Sequence, residues 1–354
     1  MRPSRSRRAS LILLAASTLF CAGLLLAGEW LVRALAPSRL RLSPARSAIV
    51  HSSRYGWQLR SGWRFRDEDG RRISTDSARR RVPVRAMEDA ATTRVAVLGD
   101  SVAFGAGVDD HETFANRLAA REGWTVANFA VPGWGTDQSL LRYQHETRAW
   151  RPQVVVLSVC LANDLADNML PNYLYDPSWP KPYFTLEGGT LRPHAEHLVR
   201  SRAGRAWRWA WESSHLLNLL ALPRAEGGRE PTHWMGRRRV AVKDEEAATR
   251  LTVQELAWLQ QATQQDGVAL LIALHPDRAA FEERSVLATR LAEEMAAAGV
   301  PALDLGARYR AAGWAFADLT LDGLGHLSPR GHAVAAELIG EAIRSRPLPA
   351  PGTR

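Results

Sequence analysis

Cysteine is scarce: the 354 residues hold only Cys21 and Cys160, one inside an apolar N-terminal run and one ending a later apolar run. That excludes a disulfide framework and a cysteine-rich metal site. Lysine is scarcer still relative to expectation, with Lys181 and Lys243 the only lysines among 46 basic residues. The formal net charge of +9 is therefore carried by arginine. It falls in short clusters (Arg2 to Arg8, Arg71 and Arg72, Arg79 to Arg81, Arg237 to Arg239) without a patterned stripe, zinc finger, basic zipper or RNA-binding aromatic signature. Solvated basic surface, with no nucleic-acid partner, is the expectation. Internal repeats and low-complexity tracts are missing as well. Gly105-Ala106-Gly107 lacks the third glycine of a dinucleotide fingerprint, and no Walker lysine occurs. His194/His197 and His326/His332 lack the helix-spaced carboxylate of a zinc pattern, so neither metal nor cofactor is expected. What remains, 46% hydrophobic and 23% charged, is ordinary globular composition.

The N-terminus breaks that ordinariness. Residues 11 to 27, LILLAASTLFCAGLLLA, carry no charge and approach the ~20 residues a membrane-spanning helix needs. Arg2, Arg5, Arg7 and Arg8 precede the run and Trp30 follows it, where an interfacial aromatic would sit. The positive-inside bias then places residues 1–36 as a cytoplasmic basic tail and single-pass anchor. In this reading the remainder lies outside the cytoplasm, on the periplasmic face of an inner membrane. A cleaved signal is the rival, because Ala34-Leu35-Ala36 matches a cleavage site. Pro37 after the cut, with Glu29 and Arg33 before it, argues for retention.

Residues 37–93 show many arginines and little apolar periodicity, which reads as a juxtamembrane linker with short extended pieces. From Arg94 onward short apolar runs alternate with helical patterns. VAVL, TVANFAV, QVVVLSVC, VALLIAL and VPALDL read as strands; the segments around 111–121, 140–150, 245–265, 281–299 and 331–344 read as helices. The alternation predicts an α/β domain over 94–345 with a parallel sheet covered on both faces, followed by a tail over 346–354. An insertion at about 165–243, rich in proline, arginine and tryptophan, looks helical at WRWAWESSHLLNLLAL and is well placed to wall or cover a substrate groove.

Ligands of such sheets bind beyond the carboxyl ends of the strands. Four pieces fall there: Gly99-Asp100-Ser101, Gly133 within VPGWG, Asn163-Asp164 within LANDLADN, and Asp322 with His326 within LDGLGHLSPRGH. Each alone is a common turn sequence. Together they supply what acyl transfer at serine requires: a nucleophile (Ser101), a base (His326), a group to orient the base (Asp322) and oxyanion donors. The donors would be the backbone N–H groups of Ser101 and Gly133 and the amide of Asn163. Val102-Ala103 after the serine lacks the second glycine of an α/β-hydrolase elbow.

In these four blocks the sequence resembles the SGNH/GDSL hydrolase family, whose Ser, Gly, Asn and His match Ser101, Gly133, Asn163 and His326. The resemblance implies a three-layer α/β/α flavodoxin-like fold and cleavage of ester-linked acyl groups without a cofactor. The lead-in YGWQLRSG, the apolar start and NDLADN are similar to a bacterial membrane-anchored branch. Two departures stand out. Leu161 replaces the glycine of the usual Gly-x-Asn-Asp, and three residues, not two, separate Asp322 from His326. Gly323 or Gly325 would absorb the extra residue; otherwise Asp318 or a backbone carbonyl becomes the orienter. The expected substrates are O-acetyl or other acyl esters of an envelope glycan or lipid. The alternatives are an acyltransferase on the same scaffold and a noncatalytic glycan-binding or assembly protein.

Overall fold

The computed structural model describes residues 5–35, 48–66, 70–82, 93–174, 176–198, 203, 204, 206, 214, 216 and 244–347. The chain divides into two compact units, Met1–Ser43 with Arg200–His233 and Pro44–Val199 with Trp234–Arg354.

In the first unit the helix Arg5–Leu35 contains the stretch Ala9–Leu35, long and apolar enough to cross a membrane. Near its end Glu29 accepts hydrogen bonds from Arg33 Nε at 2.7 Å, Ser214 Oγ at 2.7 Å and the Leu216 backbone N–H at 2.9 Å. Of the insertion expected at about 165–243, the described residues Ser214 and Leu216 meet this helix. They pack on the apolar helix, where Glu29 supplies the acceptor that a backbone N–H there needs. Trp207, Trp209, Trp211 and Trp234, and most of the stretch WRWAWESSHLLNLLAL, lie outside the described residues.

The second unit begins with two antiparallel hairpins, β1 (Ile49–Ser52) with β2 (Gly56–Leu59) and β3 (Arg64–Arg66) with β4 (Arg72–Ser74). β5 (Arg94–Leu98), β6 (Thr125–Asn128) and β7 (Val154–Cys160) follow. Then come the hairpins β8 (Asn172–Tyr173) with β9 (Asp176–Pro180) and β10 (Tyr183–Glu187) with β11 (Thr190–His194). β12 (Ala269–His275) and β13 (Ala302–Asp304) are the last strands among the described residues. The central sheet runs β13-β12-β7-β5-β6 and all its pairings are parallel. This is the flavodoxin-like order, which reverses between β5 and β7.

Period-two alternation on doubly covered strands explains the valine run. All seven residues of β7 are buried. Val154, Val156 and Cys160 face one core with Phe114, Leu118, Ile339 and Ile343 from the helices Phe114–Glu122 and Pro329–Arg344. Val155, Leu157 and Val159 face the other, with Leu256 and Leu259 of Glu245–Gln265 and Leu291 and Met295 of Val286–Ala297. Each fully buried aliphatic side chain contributes on the order of 1.5–3 kcal/mol.

Several boundaries differ from the sequence reading. The helix expected from His111 starts at Phe114, because Thr113 caps it through the Asn116 N–H and a capped tight turn occupies Asp110–Glu112. The helix expected over 140–150 is instead Thr136–Arg142, continued by one wide turn over Tyr143–Thr147 and one tight turn over Arg148–Trp150.

The linker reading of residues 37–93 is corrected within 48–66 and 70–82. Tyr55, Trp57, Leu59 and Ile73 are buried in the same core as the sheet. Arg81 is not solvated surface either: it is 1% exposed, stacks over Phe104 and forms an ion pair with Asp110 at 2.7 Å. Its remaining N–H groups donate to the carbonyls of Phe104, Gly105 and Val108, the turn that follows Ser101. A planar fork with five donors suits that task, and a lysine would leave carbonyls unpaired. The insertion is likewise not helical over 172–194, where it forms β8 to β11.

Lys181, between β9 and β10, is wholly buried and pairs with the equally buried Asp137 at the start of the helix Thr136–Arg142. Removing one member of such a pair leaves an uncompensated charge in the core, at a cost of about 3–5 kcal/mol. Lys181→Met is therefore expected to lower stability by roughly that amount, and the double change Lys181→Met/Asp137→Leu to restore most of it. Denaturant unfolding of the three proteins is the measurement; equal stability of the single and double variants would contradict the ion-pair account.

Candidate active site

Ser101 opens the helix Ser101–Phe104 directly beyond β5, at the point where strand order reverses. Asp100 caps that helix, its Oδ1 accepting from the Val102 N–H at 2.9 Å. Its other oxygen lies 3.4 Å from Ser101 Oγ. On its far side Ser101 Oγ stands 2.9 Å from His326 Nε2, and His326 Nδ1 is 2.6 Å from Asp322 Oδ2. Ser101, His326 and Asp322 thus share one line of hydrogen bonds. Burial tends to raise the Asp322 carboxyl, but the hydrogen bond and charge of His326 outweigh it and hold the group below its usual value. An ionised carboxylate only accepts, so Nδ1 carries the proton and Nε2 is free to accept from the serine hydroxyl. Burial would push the His326 imidazole down; the bond to Asp322 and the charges of Asp322 and Asp100 prevail and hold it above its ordinary value.

The extra residue between Asp322 and His326 is absorbed locally. Gly325 adopts φ +93°, and a Cβ there would stand 2.5 Å from the Pro276 carbonyl oxygen, so glycine is required on both counts. Asp322 Oδ1 accepts from the backbone N–H groups of Leu324 at 2.9 Å and His326 at 3.2 Å. The loop is closed below by Leu321 N–H to His326 O at 2.7 Å and Ser328 N–H to Leu319 O at 2.8 Å. Asp318, the alternative orienter, instead accepts from the Ala315 N–H.

Gly133 lies in the turn after β6, buried, at φ +78°, with the Tyr173 ring seated where a Cβ would be. The turn is braced from outside the sheet: Trp57 Nε1 donates to Pro132 O at 3.0 Å, and Trp134 Nε1 donates to Trp57 O at 3.2 Å. Tyr173 packs edge-on to Trp57, as does Trp179. Trp57, Tyr173 and Lys181 escaped sequence reasoning because each reaches the site from segments without periodicity.

Asn163 follows β7. Leu161, in place of the family's glycine, needs no positive φ: its N–H donates to His275 O at 3.0 Å, and Asn163 N–H closes the turn onto Cys160 O at 3.3 Å. The Asn163 amide donates to Asp167 Oδ2 at 2.8 Å and to Asp164 Oδ1 at 3.3 Å. Beneath it lies a buried set of carboxyls, Asp100, Asp137, Asp164, Asp167 and Glu255, with Lys181 among them. Burial pushes Asp164 and Glu255 well up and lifts Asp167 to about 7, against the pull of its Asn163 bond and the Lys181 charge. Cys160 is a buried thiol raised by burial and then by the Asp100 and Asp164 charges.

His275 and His332 are core residues. Both stack on Phe114, and His332 Nδ1 accepts the Phe114 N–H at 3.1 Å. Burial depresses His275 to about 3, which keeps it neutral.

Among solved structures, a lipase/acylhydrolase from Enterococcus faecalis is similar at 15% identity, with 73% of this chain and 98% of that chain covered and a TM-score of 0.40. A putative lipolytic protein of the G-D-S-L family from Desulfitobacterium hafniense DCB-2 is similar at 11% identity over 70% of this chain and 98% of its own, with a TM-score of 0.34. The acetyl xylan esterase AlAXEase is similar at 12% identity over 71% and 99%, with a TM-score of 0.38. No curated protein matches the chain in sequence. The family model of the GDSL-like Lipase/Acylhydrolase family matches residues 97–334, more than half of the chain and a span that includes all four blocks. By that match the chain belongs to the GDSL-like lipase/acylhydrolase family, a family of ester-cleaving enzymes.

Proposed function

We propose that the protein is a serine esterase in which Ser101 is the nucleophile, His326 the general base and Asp322 the residue that orients it. The observation that carries this reading is the line Ser101 Oγ, His326 Nε2, His326 Nδ1, Asp322 Oδ2, with steps of 2.9 and 2.6 Å. Ser101 Oγ attacks the ester carbonyl carbon while its proton passes to His326 Nε2. The backbone N–H groups of Ser101 and Gly133, with the Asn163 amide, receive the oxyanion. Collapse of the tetrahedral intermediate breaks the bond to the alcohol oxygen, which takes the proton from His326. Water, deprotonated by the same imidazole, then releases the acid and restores Ser101. The substrate class we assign is an acyl ester of an envelope glycan or lipid. That assignment rests on the helix Ala9–Leu35 preceded by Arg2, Arg5, Arg7 and Arg8, a pattern that anchors a chain with its body outside the cytoplasm. The noncatalytic reading draws on the Leu161 and Asp322 departures. The turn made without glycine at Leu161 and the loop closed by Gly325 weigh against it.

In the full chain, a serine-directed fluorophosphonate is expected to label the wild type and not Ser101→Ala. Short-chain aryl ester turnover is expected to fall at least about 10³-fold in Ser101→Ala and His326→Ala. A folded Ser101→Ala variant with normal turnover would sink the reading.

Because the base must be neutral, activity is lost as pH falls through the His326 ionisation, which Asp322 holds above the ordinary value of about 6.5. In Asp322→Asn the acid limb of the kcat/KM profile is expected to move to lower pH while the plateau drops. An unmoved limb would remove Asp322 from the assignment. For topology, a phosphatase reporter fused after Arg354 is expected to be active outside the cytoplasm, and activity confined to the cytoplasm would reverse the orientation.

A further inference from the structure

A side-chain amide is a poor oxyanion donor unless something decides which of its ends faces the reaction. Rotation about the terminal torsion of asparagine is soft and roughly two-fold, so carbonyl and amino ends exchange readily. Stabilisation of a developing oxyanion depends on donors already aimed before the charge appears. Asn163 meets this problem with an unusual neighbour.

Asp167 lies one turn on, in the helix Asp164–Asn168, and is 0% exposed. Its Oδ2 accepts one N–H of the Asn163 amide at 2.8 Å, while its own backbone N–H donates to Asn163 O at 2.8 Å. Side chain and backbone of the two residues are thereby tied in both directions. Asp167 Oδ1 has no hydrogen-bond partner among the described residues, so the Asn163 contact is the one side-chain bond that accounts for burying this group. The neighbouring carboxyl Asp164 does something else: its Oδ2 accepts the Cys160 N–H at 3.1 Å and holds the strand end. The helix carrying Asp167 is itself fixed, since Asn168 Nδ2 donates to Thr252 Oγ1 at 2.9 Å on the long helix Glu245–Gln265. The second N–H of Asn163 is held more loosely, at 3.3 Å from Asp164 Oδ1, and so remains open to exchange onto an incoming oxygen.

We infer that Asp167 is a positioning residue: by accepting one N–H of Asn163 it selects the amide orientation in which the other N–H faces the carbonyl oxygen at Ser101. The inference rests on the serine chemistry proposed above and adds to it a residue beyond the Asn163-Asp164 pair. The loss of an oxyanion donor lowers turnover about 10²- to 10³-fold, which sets the ceiling for what Asp167 contributes through Asn163.

The test is a double-mutant cycle on the full chain, read by kcat and KM for an aryl ester. Asp167→Leu keeps the branched side-chain skeleton and removes the acceptor; it is expected to lower kcat about 10- to 100-fold with KM changed less than about threefold. In an Asn163→Ala background the same substitution is expected to change kcat less than about threefold. Asp167→Asn retains an acceptor oxygen and is expected to recover most of the rate. An equal loss from Asp167→Leu in both backgrounds, or wild-type kcat in Asp167→Leu, overturns the inference. Crystal structures of the wild type and Asp167→Leu supply a readout independent of turnover. A rotated or disordered Asn163 amide in the variant supports positioning, and an unmoved amide overturns it. Failure of the serine chemistry itself would appear separately, as a wild type that neither reacts with fluorophosphonate nor turns over ester.

Discussion

The 2.9 Å contact between Ser101 Oγ and His326 Nε2 joins residues 225 positions apart, and almost every feature of the second unit bears on keeping it. Ser101 is fixed by the end of β5 and by the Asp100 cap. His326 is fixed by a loop whose two feet are bonded to each other and whose tightest point is a glycine pressed on Pro276. A hydrogen bond of this kind fails with displacements well under 1 Å, so both ends need rigid support. The sheet supplies it, with β7 buried on both faces beside β5.

Much of the support for the turns at Gly133 and Asn163 comes from outside the α/β layers. The hairpin of β1 and β2 reaches the turn around Gly133 through Trp57, which donates to Pro132 and accepts from Trp134. From the insertion, Tyr173 covers Gly133 and Lys181 enters the carboxyl cluster below Asn163. Arg81 ties the turn after Ser101 to β4 through Asp110 and three carbonyls. These are polar, directional contacts placed under a site that has to hold its geometry. Lysine at 181 stands out in an arginine-dominated chain because a compact ammonium fits a closed cavity against one carboxylate, where a guanidinium fork would need several more acceptors.

The five carboxyls near Asn163 would repel one another if all were ionised. Burial instead raises Asp164 and Glu255 well above the usual carboxylate range, which favours their neutral forms, and the Lys181 ammonium stands against Asp137. At Asp322 the balance runs the other way, and the bond and charge of His326 hold the carboxyl below its usual value.

Local pattern alone determined the parallel sheet, because doubly buried strands must be runs such as Val154 to Cys160 and because each strand is followed by a helix-spaced segment. It also brought out the four blocks, since chemistry-bearing residues at strand ends need no partner to be recognised. The apolar N-terminal helix was legible for the same reason: its length and lack of charge are properties of the segment itself. Only the tertiary structure decided that residues 48–66 and 70–82 belong to the core, that 172–194 are hairpins, and that Arg81 and Lys181 are buried. Strands of two to five residues carry too few positions for periodicity, and a charged residue is stabilised inside only by partners far away in sequence. The spacing of Asp322 and His326 belongs to the same class, because whether three intervening residues fit depends on φ at Gly325 and on the Pro276 carbonyl beside it.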